Sequence, residues 1–154
     1  MMIQLVKTDS DNADFITLVQ QLDKDLAIRD GDEHAFYAQY NGIVAIKHAI
    51  VAYENGVAVA CGAIKAFDDV SMEVKRMYTM PNARGKGVAA QVLAALELWA
   101  KELDYINCVL ETGKKQPEAI ALYNKCGYTI TPNYGQYIGI DNSVCFKKQL
   151  ENTM

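Results

Sequence analysis

The spacing of apolar positions changes period several times along this chain, and each change marks an element. Ile3 to Lys7 reads as a short strand. Phe15, Leu18, Val19, Leu22 and Leu26 then recur every three or four residues, which places them on one face of a helix. Ser10, Asp11 or Asn12 can cap its start, and Asp30-Gly31-Asp32 breaks it. Glu33 to Tyr40 fits a second, short helix closed by Asn41-Gly42. The period then drops to that of strands. Ala49 to Tyr53 and Val57 to Ile64 are joined by Glu54-Asn55-Gly56, and Asn-Gly is a strong hairpin signal. Phe67-Asp68-Asp69 turns the chain into a third run, Ser71 to Met80, so the three strands form an antiparallel meander.

A long helix is expected from about Gly85 to Leu103, with Val88, Val92, Leu96, Trp99 and Leu103 as its buried stripe. Tyr105 to Thr112 reads as a buried strand. Pro117 suits the first turn of a further helix, with Gln116 before it, and Gly127 suits the residue after its end. Tyr128 to Ile130 and Ser143 to Lys148 are closing strands around a loop from Pro132 to Asn142. The order is β-α-α-β-β-β-α-β-α-β-β. No repeat or linker interrupts it, so the expectation is a single α+β domain over residues 1–154, built on a mixed, mostly antiparallel sheet flanked by helices.

Composition narrows the classes. At 154 residues, 51% of them apolar, the chain can bury a substantial core. No apolar run approaches the roughly 20 residues that span a bilayer, and Met1 to Asp9 lacks the regions of a signal peptide. The expectation is a soluble, cytoplasmic protein without a membrane partner. Cys61, Cys108, Cys126 and Cys145 are far apart and the only histidines are His34 and His48, so no metal site is expected and the thiols read as reduced and buried. A net charge of −4 argues against a nucleic-acid partner. Residues 1–33 carry eight acids against three bases. That excess is either a solvated helix face or an acidic rim that attracts a cationic amine.

Residues 81–99 hold the candidate chemistry. The strand before them ends at Pro81, and a glycine-bearing turn leads into the long helix. Backbone N–H groups are left unpaired at that helix N-terminus, at the positive end of its dipole, where they suit an anion. Gly85 and Gly87 let a ligand approach the backbone, while Arg84 and Lys86 add positive charge, so the turn is a candidate pyrophosphate cradle. Gly85, Gly87 and Ala90 also fit a degenerate dinucleotide fingerprint, but that fingerprint needs a parallel βαβ unit and a meander precedes it here.

The segment Arg84-Gly-Lys-Gly87-Val-Ala89 resembles the signature of the GNAT superfamily of N-acetyltransferases: Arg or Gln, two residues, Gly, one residue, then Gly or Ala. Its context matches too, with the strand Glu73-Val-Lys-Arg-Met-Tyr-Thr before it and the long helix after it. A second stretch, Gln116 to Tyr128, is similar to a helix of that family, with Gln116 for its frequent Asn and Tyr128 for its frequent Phe. The resemblance covers residues 46–130 well, and the flanks match only in element order. It implies the GNAT fold and an acetyl-CoA-dependent N-acetyltransferase that moves acetyl to a primary amine by direct attack. The acceptor it leaves open: amino acid, polyamine, aminoglycoside or protein N-terminus, with composition favouring a small molecule. Dimerisation is common in the family, so a homodimer is admitted.

The resemblance also assigns positions. Backbone N–H groups of Gly85, Lys86, Gly87, Val88 and Ala89, with Arg84, would hold the pyrophosphate. Met77, Tyr78 and Thr79 would line the pantetheine arm, which lies in a gap between strands 72–80 and 105–112, and Gln116 would complete the donor site. A backbone N–H near Met77 would polarise the thioester carbonyl. Tyr123 is the candidate general acid for the departing thiolate, against a reading as a packed tyrosine. Glu73 is the candidate base, with Glu111 as a second candidate, against a structural ion pair with Lys75, Arg76 or a neighbouring strand. Strict alternation places Glu73, Lys75, Met77 and Thr79 on one face unless a bulge intervenes. Arg76 is expected in a structural salt bridge that could involve Glu111, and Tyr134, Tyr137 and the acidic first helix are expected to wall the acceptor site. The rival from another class is an acetyl-CoA-binding sensor without turnover.

Overall fold

A computed structural model of the protein describes residues 3–30 and 46–150. The expected helix over Glu33 to Tyr40, its Asn41-Gly42 stop and His34 lie outside the described residues. The elements run β1 (Ile3–Thr8), α1 (Ala13–Asp30), β2 (His48–Glu54), β3 (Val57–Ala66), β4 (Ser71–Thr79), α2 (Val88–Glu102), β5 (Asn107–Gly113), α3 (Pro117–Lys125), β6 (Thr129–Thr131) and β7 (Ser143–Gln149). Short 3₁₀ turns follow β4 at Pro81–Ala83 and precede β7 at Gly135–Tyr137. The seven strands form one sheet in the order β1-β2-β3-β4-β5-β7-β6. Each pairing is antiparallel except that of β4 with β5. The mixed, mostly antiparallel α+β architecture is the expected one.

The meander forms where the residues predict it. Asn55 and Gly56 both take positive φ, +53° and +82°, as a two-residue hairpin loop demands. Alternation along β2 and β3 then divides the core. Ile50, Ala52, Ala60 and Ile64 face α2 and join Val88, Val92, Leu93 and Leu96. Ala49, Val51, Cys61 and Ala63 face α1 and join Phe15, Leu18 and Val19. Helix α2 begins at Val88 rather than Gly85, because Gly85 and Gly87 sit at φ +80° and +81° outside the helical region. Its buried stripe also shifts from the expected one. Leu93 and Ala100 are buried, Leu103 caps the helix end and is exposed, and Trp99 is half-buried against the edge of His48 with Lys7 over its ring.

Two local features decide where a site can form. The first is the reach of the β4–β5 pairing, which covers only Ser71–Asn107, Met72–Cys108 and Glu73–Val109. Beyond Glu73 the strands part, while β5 stays paired to β7 as far as Gly113. The second is a bulge in β4. Cys61 pairs with Tyr78 and Ala63 with Lys75, so Gly62 stands opposite both Arg76 and Met77. Arg76 takes φ +60°, a left-handed conformation that costs a non-glycine residue about 1–2 kcal/mol. The Cys61 thiol donates to the Arg76 carbonyl at 3.3 Å and helps hold it there.

The bulge overturns the strict alternation expected of β4. Met72 and Val74 face α2, so Glu73 and Lys75 face α1; the extra residue then returns Met77 to the α2 side and Tyr78 to the α1 side. Gly62 makes room for this. A Cβ there would lie 2.5 Å from Met77 Sδ, 2.8 Å from Leu96 Cδ1 and 3.0 Å from Val92 Cγ1. Gly62→Ala is therefore expected to lower stability by about 1–3 kcal/mol in urea denaturation, the usual cost of overpacking. An unchanged midpoint would show that the bulge tolerates a side chain opposite it.

Candidate active site

Where β4 and β5 separate, a slot opens through the sheet, with a cavity of about 110 Å³. Strand alternation gives its two mouths different chemistry. On the α1 side lie Glu73, Glu111, Tyr137, Leu22 and Leu26; on the α2/α3 side lie Met77, Ala119 and Tyr123. Gln116, the residue before α3, and Gly113 close the end. The expected residues Glu73, Glu111, Met77, Gln116 and Tyr123 are thus brought together around one opening, from β4, from β5 and from α3 with its N-cap.

Tyr123 is buried, 6% exposed, against the rings of Tyr128 and Phe146 with centroids 5.9 Å away in each case. Burial first, then Cys126 and Glu111, pushes its phenol well above the ordinary tyrosine value, so it stays protonated throughout the neutral range. On the opposite face Tyr134 donates its hydroxyl to Glu73 Oε2 at 2.7 Å, and Lys75 Nζ stands 3.6 Å from Glu73 Oε1. Phe67 packs edge-on against Tyr134, and Tyr137 packs against it in turn. The phenols of Tyr134 and Tyr137 are both pushed up, chiefly by burial and then by the carboxylates beside them: Glu73 for Tyr134, Glu111 and Glu73 for Tyr137. Cys145, paired with Glu111 across the strands, is fully buried and its thiol is raised to about 11, mainly by burial. It is not a thiolate at neutral pH.

Arg76 stands in a structural salt bridge, as expected. Its guanidinium pairs with Asp23 of α1, Nη1 to Oδ1 at 2.9 Å, because the bulge throws the side chain onto the α1 face. Asp23 therefore serves as an anchor rather than as an open acidic rim. Asp14 is engaged likewise, by the Tyr53 hydroxyl at 2.7 Å. Lys75 and Arg76 line the slot as well, and neither was singled out by sequence for that position. For Lys75 the signal was present, since it follows Glu73 by two residues and shares its face.

The turn before α2 lies beyond the slot. Gly87 caps the helix in a left-handed conformation with no side-chain cap, and a Cβ on Gly85 or Gly87 would meet nothing within 4 Å. The first N–H groups of α2 therefore open onto space, a cradle shaped for an anion. Arg84 donates from Nε to the Thr79 carbonyl at 2.9 Å and lies over the Tyr78 ring. Tyr78 and Thr79 thus position the arginine, and neither lines the cavity. Lys86 stands 3.8 Å from Glu54, whose buried Oε2 has no hydrogen-bond partner. Among the described residues no group of three His, Cys, Asp or Glu is placed to hold a metal ion, and no helix is long and apolar enough to cross a membrane.

A splayed parallel pair, a bulge beside it and an uncapped glycine turn leading into a helix form a recognisable combination. The model of the acetyltransferase (GNAT) family matches residues 11–128. The chain belongs to the GNAT acetyltransferase family. This GNAT chain is similar to an IAA acetyltransferase of Azospirillum brasilense, 37% identical over 89 residues, which cover 57% of this chain and 58% of that protein. The crystal structure of a candidate acyl-CoA N-acyltransferase from Klebsiella pneumoniae is 32% identical, with a TM-score of 0.81 over 97% of this chain and 99% of that one. A GNAT acetyltransferase from Elizabethkingia anophelis, solved with acetyl-CoA bound, shares the fold at a TM-score of 0.67 and 19% identity, over 96% and 98% of the two chains.

Because Gly87 has open space where a side chain would go, replacing it isolates its backbone role. Gly87→Ala is expected to cost about 1–2 kcal/mol of stability through its positive φ. A thermal or urea unfolding series checks this, and a variant as stable as the parent would contradict it.

Proposed function

We propose that this GNAT chain is an N-acetyltransferase that uses acetyl-CoA as donor and a small primary amine as acceptor, by direct attack. The observation that carries the reading is the slot itself, which opens on a carboxylate-and-tyrosine face at one mouth and on a buried phenol at the other. Bound acetyl-CoA supplies an acetyl thioester and a thiolate leaving group. The fit to this chain rests on the uncapped N–H groups and open space at Gly85 and Gly87, with Arg84 and Lys86 beside them for the pyrophosphate. The unpaired edge of β4 beyond Glu73 offers main-chain groups to the amide-bearing arm, as a missing strand would.

The residues then divide the work by face. Glu73, at the α1 mouth, takes the proton from the incoming ammonium, directly or through water, and Glu111, which lines the same slot, is the second candidate for that role. A backbone N–H near Met77, at the bulge, would polarise the thioester carbonyl as negative charge develops on its oxygen. Tyr123, at the other mouth, donates its proton to the departing sulfur; the attacking nitrogen sheds its second proton to solvent as the intermediate collapses, and solvent reprotonates the phenol. A phenol kept protonated by burial holds that proton in readiness across the neutral range. Buried, raised thiols support direct attack over an acyl-enzyme.

Calorimetric titration with acetyl-CoA, with NAD and ATP as controls, is the first test, followed by thiol release in the presence of amines. Micromolar binding of acetyl-CoA alone, with release, is expected. Binding without transfer to any amine would favour a sensor, and preference for NAD or ATP would remove the donor assignment. Tyr123→Phe is expected to lower kcat about ten-fold or more while leaving acetyl-CoA affinity near its starting value. An unchanged kcat would return Tyr123 to a packing role.

A further inference from the structure

Glu73 stands where the slot begins. It is the last β4 residue paired with β5, opposite Val109, and it pairs with Lys65 of β3 on its other side. Its main chain is therefore fixed by both neighbours. What remains free is the side chain, whose torsions could swing the carboxylate away from an incoming amine. A base works only when its oxygen stands within hydrogen-bond reach of the proton it takes, and such a base is commonly oriented by a third group. Tyr134 is placed to be that group. Its hydroxyl donates to Glu73 Oε2 at 2.7 Å, from a loop 61 residues further along the chain. The loop is stapled around it. Asn133 Nδ2 donates to the carbonyls of Tyr137 at 3.1 Å and Ile140 at 3.0 Å, and the Tyr137 N–H donates to the Tyr134 carbonyl at 2.9 Å. Two rings brace the phenol, Phe67 with centroids 4.7 Å apart and Tyr137 at 5.8 Å. Phe67 is itself set by the β3–β4 turn, where Asp68 Oδ1 accepts the N–H groups of Val70 at 2.9 Å and Ser71 at 2.7 Å. A hydrogen bond shielded from water in this way is stronger than one open to it.

On the reading of Glu73 as the base, we propose that Tyr134 is a positioning residue of the reaction: its hydroxyl holds the Glu73 carboxylate in the orientation that takes the ammonium proton. For this role Tyr134 touches neither the amine nor the thioester, and it acts through Glu73 alone. It also keeps its own proton. Burial, and then the adjacent Glu73, push its phenol well above the ordinary tyrosine value, so it remains a donor as the pH rises. The proton passes from the amine nitrogen to Glu73, and the Tyr134–Glu73 bond persists through the step.

The test is thiol release by Tyr134→Phe, which keeps the ring packing and removes only the donor. The parent is screened at saturating acetyl-CoA with ethylamine, putrescine and the protein amino acids. The fastest acceptor is then followed from neutral pH to about pH 9, because an amine that arrives neutral needs no base and its fraction grows about ten-fold per pH unit. Tyr134→Phe is expected to have a kcat about ten-fold below the parent at neutral pH, with the KM for acetyl-CoA unchanged and a deficit that shrinks toward parity as the pH rises. The charged and titratable groups around Glu73 (Lys65, Lys75, Arg76 with its partner Asp23, Glu111 and Tyr137) are the same in both proteins, so the difference between the two profiles reports the hydroxyl. No kcat deficit at any pH, or one that stays constant or grows with pH, would overturn the inference, make Tyr134 a packing residue and leave the transferase reading intact. Glu73→Gln is measured beside it to separate the base from the group that holds it. A parent-like rate there would remove Glu73 as the base, and this inference with it. Bound acetyl-CoA with no transfer to any amine would overturn both readings.

Discussion

The structure depends on a pairing that stops early. Among the described residues β4 and β5 are the only parallel neighbours, and three residue pairs hold them together before they diverge. A sheet that opens in its middle would ordinarily expose main-chain groups and lose core contacts. Here the strands can part because each is secured elsewhere, β4 to β3 along its length and β5 to β7 across seven residue pairs. The slot is therefore a property of the backbone, and the side chains around it follow from which face each strand position occupies.

The bulge at Arg76 gives that slot its two-sided chemistry. Without it, Met77 would follow Glu73 and Lys75 onto the α1 face. With it, the charged residues stay toward α1, and Met77 turns to the apolar side with Leu96 and Val92. The strain of a left-handed arginine is offset by specific contacts: the thiol of Cys61 on its carbonyl, Asp23 on its guanidinium and the missing side chain of Gly62 opposite. Strain of this kind concentrates where a backbone must present groups to a ligand. Helix α1 contributes at both levels, through Phe15 and Val19 in the core and Asp23, Leu22 and Leu26 at the mouth.

Much of this was legible along the chain, because the signals were local. The Asn55-Gly56 hairpin, the Pro117 start and Gly127 stop of α3, and the glycine turn before α2 each follow from conformational preferences of one or two residues. The positions gathered at the slot, Glu73, Met77, Glu111, Gln116 and Tyr123, were readable from a motif resemblance together with strand order. What escaped was what depends on pairing across distance. Arg76 was expected in a structural salt bridge and forms one, but its partner Asp23 was not foreseen, since a one-residue bulge in β4 is set by Gly62 on another strand. Leu93 and Ala100 join the buried stripe of α2, while Trp99 packs against the core only half-buried and Leu103 falls at the C-cap, since the exact face depends on how the helix lies on the sheet. Lys75 was recognised only as a neighbour of Glu73, because a charge gains meaning at a site only once the opposite wall is known.

The central claim is that acetyl-CoA enters the opening between β4 and β5 as well as the turn before α2. Amide hydrogen exchange with and without acetyl-CoA tests it most directly, because the two segments give separate signals. The account predicts added protection in both Val74–Thr79 and Gly85–Ala90, with β1 at the sheet edge unchanged. Protection confined to Gly85–Ala90, with Val74–Thr79 exchanging as before, would mean that the turn binds an anion while the slot stays empty, and would contradict the account.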